Sequence, residues 1–232
     1  MKPTGIKHID IFIENMDEVQ QLTEIHLKMA GKGSGYKKDV QILNKSGIVL
    51  LTACWESFIE DLASEAFNFV VDKCPSHSKI PNSVLVKASK TLKDSQNGIE
   101  IWKLAGEGWR TILKDYGKEV LEKEIDFFHV PRPDKIDDLF VKLIDLKKIS
   151  SEWKWKGMSN SSAKQKLEDF INLRGSIAHK IKTHKNVWKK DVDEYRKFLY
   201  SLVVITHNRT NTHIDKITGK TPWGFGLHGH IR

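Results

Sequence analysis

Cysteine is scarce in this chain, with two copies in 232 residues, and no Cys-x-x-Cys or zinc-finger spacing is present. A disulfide framework and a thiolate metal site are both excluded by that arithmetic. Cys54 and Cys74 lie in or just after a strongly apolar stretch, so they read as reduced core thiols and set the expectation of a cytoplasmic protein. Long hydrophobic runs are missing as well. The longest, residues 47–55, is roughly half of the ~20 residues that span a bilayer. Lys7, His8, Asp10 and Glu14 interrupt the apolar residues near the start, which removes a signal-peptide core. The expectation is a chain with no membrane partner. No segment alternates with period two, no internal repeat is visible, and no P-loop, dinucleotide fingerprint, Ser-His-Asp order or zinc-protease helix occurs. Sheet folds and the commonest enzyme classes are set aside accordingly.

What is present is helical periodicity over a chain that is 39% hydrophobic and carries seven tryptophans. Met16, Val19, Leu22, His26 and Met29 mark a first helix that ends in Gly31, Gly33 and Gly35. From about residue 37 to 72, Val40, Leu43, Gly47, Leu50, Leu51, Cys54, Trp55, Phe58, Ile59, Leu62, Ala66, Phe69 and Val70 form one continuous stripe, the spine of the expected fold. Pro75 stops it, and Pro81 opens a shorter helix through Val84, Leu85, Ala88 and Leu92. Helical pieces follow at about 99–105 and 109–124, then the Pro131-Arg132-Pro133 break and a helix with Ile136, Leu139, Phe140 and Leu143 inward. Ser162 with Gln165 predicts a capping box for the next helix, and residues 188–213 make a last long one. The expected fold class is all-α, an up-and-down helical bundle of about six to eight helices with one long central helix. Residues 1–214 are expected to form a single domain, followed by a Gly-rich tail over 215–232.

The net charge of +8 and pI near 9.3 favour a polyanionic partner. The excess is local: residues 180–190 hold Lys180, Lys182, Lys185, Lys189 and Lys190 and no acid. This run is a candidate for gripping an RNA backbone, with a solvated loop as the competing reading. Trp153-Lys154-Trp155-Lys156 interleaves aromatics with cations as single-strand binders do, so Trp153 and Trp155 are candidate base-stacking residues, against the alternative of core or dimer contacts. His228-Gly229-His230 has no Cys or acidic neighbour and reads as a tail rather than a metal site.

The chemistry-bearing motif is Leu173-Arg174-Gly175-Ser176-Ile177-Ala178-His179-Lys180, an Arg and a His separated by four residues. On an ideal helix the two point about 140° apart. Cleaving RNA without a metal takes a group near neutral pH to accept the 2′-OH proton, another to protonate the leaving 5′ oxygen, and a fixed cation for the phosphorane charge. His suits the first two tasks and Arg the third. One His per chain does not readily fill both proton-transfer roles, so two motifs facing each other in a homodimer would complete a site. Gly175 is expected to loosen the helix and let the pair converge.

The stretch at 48–62, containing Leu51-Thr52-Ala53-Cys54-Trp55-Glu56-Ser57-Phe58, the segment from Phe128 through Pro131-Arg132-Pro133 to Ile136, and residues 173–180 in that order resemble HEPN domains of the RiboL-PSP type. The resemblance spans roughly residues 36–213. It implies a dimerising helical bundle that acts as a cofactor-free endoribonuclease in a toxin-antitoxin or antiphage defence system, with an antitoxin or companion protein as a further partner. The functional Arg and His carry over onto Arg174 and His179. Many members place a polar residue directly after the Arg; here Gly175 stands there and Ser176 is the candidate substitute. Glu56 matches an acidic position beside the motif and is a candidate for orienting Arg174. The alternative is a non-catalytic HEPN-like scaffold that binds nucleic acid or a partner protein.

Overall fold

The computed structural model describes residues 4–30, 40–127, 131–180 and 186–223. They form eight α-helices: α1 (Lys7–Ala30), α2 (Gln41–Lys73), α3 (Asn82–Ala88), α4 (Lys90–Asp94), α5 (Gly108–Phe127), α6 (Pro133–Ile144), α7 (Asn160–Lys180) and α8 (Lys189–Thr218). No strand occurs among the described residues; Trp155 and Met158 make one isolated bridge.

Helix α2 is central because it is apolar on most of its circumference. Ile48, Leu51, Trp55, Phe58, Ile59, Leu62, Ala66 and Val70 are all buried, and α1, α5, α6, α7 and α8 pack around it. It is the one described helix long and apolar enough to cross a membrane, yet half of its most apolar stretch is covered by its neighbours. Gly47 lets α8 come close: a Cβ there would sit 3.0 Å from Val192 Cγ1. At the other end the Arg110 guanidinium donates to the Cys74 carbonyl at 2.9 Å and to that of Val71, satisfying carbonyls that no further helical turn would reach.

Several boundaries differ from the sequence expectations. The single helix expected through Val84, Leu85, Ala88 and Leu92 is two, α3 and α4, parted at Ser89. Helix α1 begins at Lys7, nine residues before Met16, because Ile9, Phe12, Ile13, Met16 and Val19 are all buried on one face. Helix α7 is capped by Ser159 rather than Ser162. The Ser159 hydroxyl accepts the Ser162 N–H at 3.1 Å, while Gln165 donates instead to Asp169 at 2.9 Å. Helix α8 continues to Thr218, past residue 214, and stops at Gly219 in the left-handed region with φ 67°.

Candidate functional site

Helix α7 carries the Arg-x4-His motif. Ala163, Leu167, Phe170 and Ile171 face the core, and Ile177 continues that face two turns beyond Phe170. Arg174 extends the Leu167–Ile171 line and is half-buried, whereas His179 falls on the line of Glu168 and Asn172 and is exposed. The helix runs unbroken through Gly175. The expected loosening there is therefore corrected: Arg174 and His179 keep the roughly 140° separation of a regular helix and do not converge within one chain. The backbone conformation at Gly175 is ordinary, and a Cβ added there would meet nothing within 4 Å, so the chain's own packing does not demand glycine. Among the described residues, neither the Arg174 nor the His179 side chain is hydrogen-bonded or ion-paired.

The supporting residues are placed differently from the expectation. Ser176 is exposed, but its hydroxyl donates to the Asn172 carbonyl one turn back at 2.9 Å. Glu56 is half-buried on α2, and no ion pair among the described residues joins it to Arg174. Its charge acts on Glu60, whose carboxyl is held above its ordinary range by burial first and then by Glu56 and Asp61. The guanidinium that the bundle does fix beside α7 is Arg132. It pairs with Glu168 and donates to Asn172 Oδ1 at 2.8 Å, and the Trp55 indole N–H donates to the Pro131 carbonyl at 3.3 Å. Arg132 thus stands on the α7 stripe that leads to His179. The sequence signal for it is an Arg held between two prolines, a helix break within one of the segments that carry the family resemblance, with nothing in it to assign the Arg a partner.

Of the basic run, the Lys180 side chain and all of Lys182 and Lys185 lie outside the described residues. Lys189 pairs with Asp193, and Lys190 with Glu194 at 3.5 Å, each one turn along α8. Just before them Val187 is buried, and its carbonyl accepts from Asn44 at 2.9 Å and Gln41 at 3.0 Å, which fastens the residues leading into α8 to the start of α2. Trp153 is corrected from base stacking to core. It is 0% exposed, packs edge-on against Trp55 with centroids 6.1 Å apart, and donates its indole N–H to Thr206 Oγ1 at 3.0 Å, leaving no ring face for a nucleotide. Trp155 is half-buried against Phe198 at 6.0 Å. His228 and His230 lie outside the described residues. Among the described residues no three His, Cys, Asp or Glu side chains cluster as metal ligands.

An apolar groove of about 480 Å³ opens at the motif, lined by Leu22 of α1, Ile42, Lys45, Val49 and Leu50 of α2, and Ile177 of α7. Ile42 is 59% and Leu50 40% exposed along it, an uncovered apolar strip two residues from His179.

An all-α bundle with a long central spine and an Arg-x4-His motif on a late helix is the architecture of a HEPN domain. The chain belongs to the RiboL-PSP-HEPN family, which matches it over residues 10–214. Membership points to a nuclease-type or RNA-related function. No curated protein and no solved structure matches the chain.

Proposed function

We propose that the protein is a metal-independent endoribonuclease whose site is completed when two copies bring their α7 ends together, acting in a toxin-antitoxin or antiphage defence module. The observation that carries this reading is His179 itself: an exposed imidazole without a partner among the described residues, two positions from an apolar groove that a second copy would cover. Because Arg174 and His179 face different sides of one helix, the second α7 supplies what one chain separates. One His179 takes the proton from the RNA 2′-OH as that oxygen attacks the adjacent phosphorus. The other His179 protonates the departing 5′ oxygen, and Arg174 holds the charge of the phosphorane. The products are a 2′,3′-cyclic phosphate and a free 5′-OH. The exposed face of α7 and the basic run beyond it offer the backbone contacts.

Incubating the purified protein with single-stranded RNA in EDTA tests the reading. The expected result is cleavage with cyclic phosphate ends, resistance of DNA of the same sequence, and dimers by light scattering. Loss of cleavage in chelator, or undiminished cleavage by His179→Ala, would remove this mechanism and this site; no cleavage at all would leave a non-catalytic HEPN scaffold that binds RNA or protein, a reading favoured by the unbroken helix between Arg174 and His179.

A further inference from the structure

Far from the motif, three ionisable side chains from three helices form a linear chain inside the bundle. Glu65 of α2 contacts His8 Nδ1 of α1 at 2.7 Å, and His8 Nε2 contacts His207 Nδ1 of α8 at 2.8 Å. Both imidazoles are fully buried. Trp223, four residues beyond Gly219, closes over them, with its ring 4.7 Å from His8 and 5.0 Å from His207. The chain thereby ties the start of α1 and the segment after α8 to the spine helix at one point.

The protons in this chain have one arrangement that satisfies both bonds when Glu65 is ionised and the rings are neutral. The carboxylate only accepts, so His8 donates through Nδ1–H; its Nε2 is then an acceptor, and His207 donates through Nδ1–H. That leaves His207 Nε2 as a bare lone pair. It is buried without a partner among the described residues, as is Glu65 Oε1. An added proton has no harmless place. On His207 Nε2 it is a buried N–H with nothing among the described residues to accept it; on His8 it strengthens the pairing with Glu65 but obliges His207 Nδ1 to accept, which moves the His207 proton to that same Nε2; and on Glu65 it competes with the bond to His8.

We propose that Glu65, His8, His207 and Trp223 form a proton-gated latch that is closed at neutral pH and releases the start of α1 and the segment after α8 in mild acid. The charged groups facing it are Asp61 and Glu65 on α2 and Lys7 and Asp10 on α1; α8 brings His207 itself. Burial first, and then the nearby His8, push His207 down to about 3. An unfolded imidazole takes up its proton near 6.5, so the closed state loses stability as pH falls below that value.

Hydrogen exchange on the full-length protein, corrected for intrinsic rates, tests the latch. Between pH 7 and pH 5, peptides covering residues 6–15 and 205–223 should exchange about ten-fold faster or more, while a peptide over 163–173 holds steady. The double variant His8→Gln/His207→Gln, which keeps polar groups but no ring proton site, should lose this acid response. Nitrogen-correlated NMR of the imidazoles provides a readout in the unaltered protein: at pH 7 both rings should carry their proton on Nδ1. A proton on His207 Nε2, acid opening that persists in the double variant, or a flat exchange profile in the parent would overturn the proposal.

Discussion

His207 and His179 stand on neighbouring long helices and share the same chemistry, yet their surroundings differ in almost every respect. His207 is buried, bonded through one nitrogen to a second histidine and covered by a tryptophan. His179 is exposed at the end of α7 with no bond to any described residue. The chain has satisfied most of one ring and left the other to whatever arrives. A side chain free to meet substrate is therefore sought where the fold leaves it open, and a buried ionisable cluster is a matter of stability before it is one of catalysis.

The contrast is sharpened most strongly by the buried side. Trp153→Ala should cost about 3–5 kcal/mol of unfolding free energy, as large-to-small changes in a packed core do, whereas Trp155→Ala should cost clearly less. Denaturant melts of the two variants check this, and equal losses would show that Trp153 is not the core residue its contacts imply. On the open side, His179→Ala should reduce RNA cleavage by about 10²-fold or more while moving the melting curve hardly at all, because an exposed imidazole contributes little to folding. A large drop in stability would place His179 in the structural group instead.

Acid should act on the buried imidazoles, His207 foremost, with His213 also held low by burial. His207 is depressed to about 3 by burial and by His8, so the stability it contributes is complete above about pH 6.5 and is lost as pH falls from there toward 3. Thermal melts between pH 8 and pH 4.5 should fall over that range, and His207→Gln should flatten the slope. Smaller effects belong to the motif helix and its basic flank. Gly175→Ala should stabilise by about 0.5–1 kcal/mol, since the site is open and helical, and Gly175→Asn should fold equally well while restoring a polar residue after Arg174; a cleavage assay then reads whether that residue assists. Lys189→Gln with Lys190→Gln should change stability by about 1 kcal/mol or less, because the exposed Lys190–Glu194 pair is weak and the half-buried Lys189–Asp193 pair is still open to solvent, while flattening the salt dependence of RNA binding. An unchanged salt slope would assign these lysines to Asp193 and Glu194 alone.

Local pattern carried much of this protein. The unbroken apolar stripe from Val40 to Val70 specified α2 as the spine, since a helix apolar on most sides has to be enclosed. Pro75, Pro81 and Pro133 marked the ends and starts of helices because their rings fit only there. The Arg174 and His179 spacing was equally plain in the chain. Spacing does not report exposure or partners. Trp153 and Trp155 stand two residues apart in a Trp-Lys-Trp-Lys segment that looks the same either way, and only the packing of Trp55 and Thr206 against the first buried it. His8, Glu65 and His207 lie 57 and 142 residues apart along the chain and meet because α1 and α8 both lie against α2. Arg132 finds Glu168 and Asn172 for the same reason. Helices, their ends and the motif follow from interactions within a few residues; which polar groups are joined, which are buried and which stay open depends on contacts between distant segments, and those exist only once the bundle has formed.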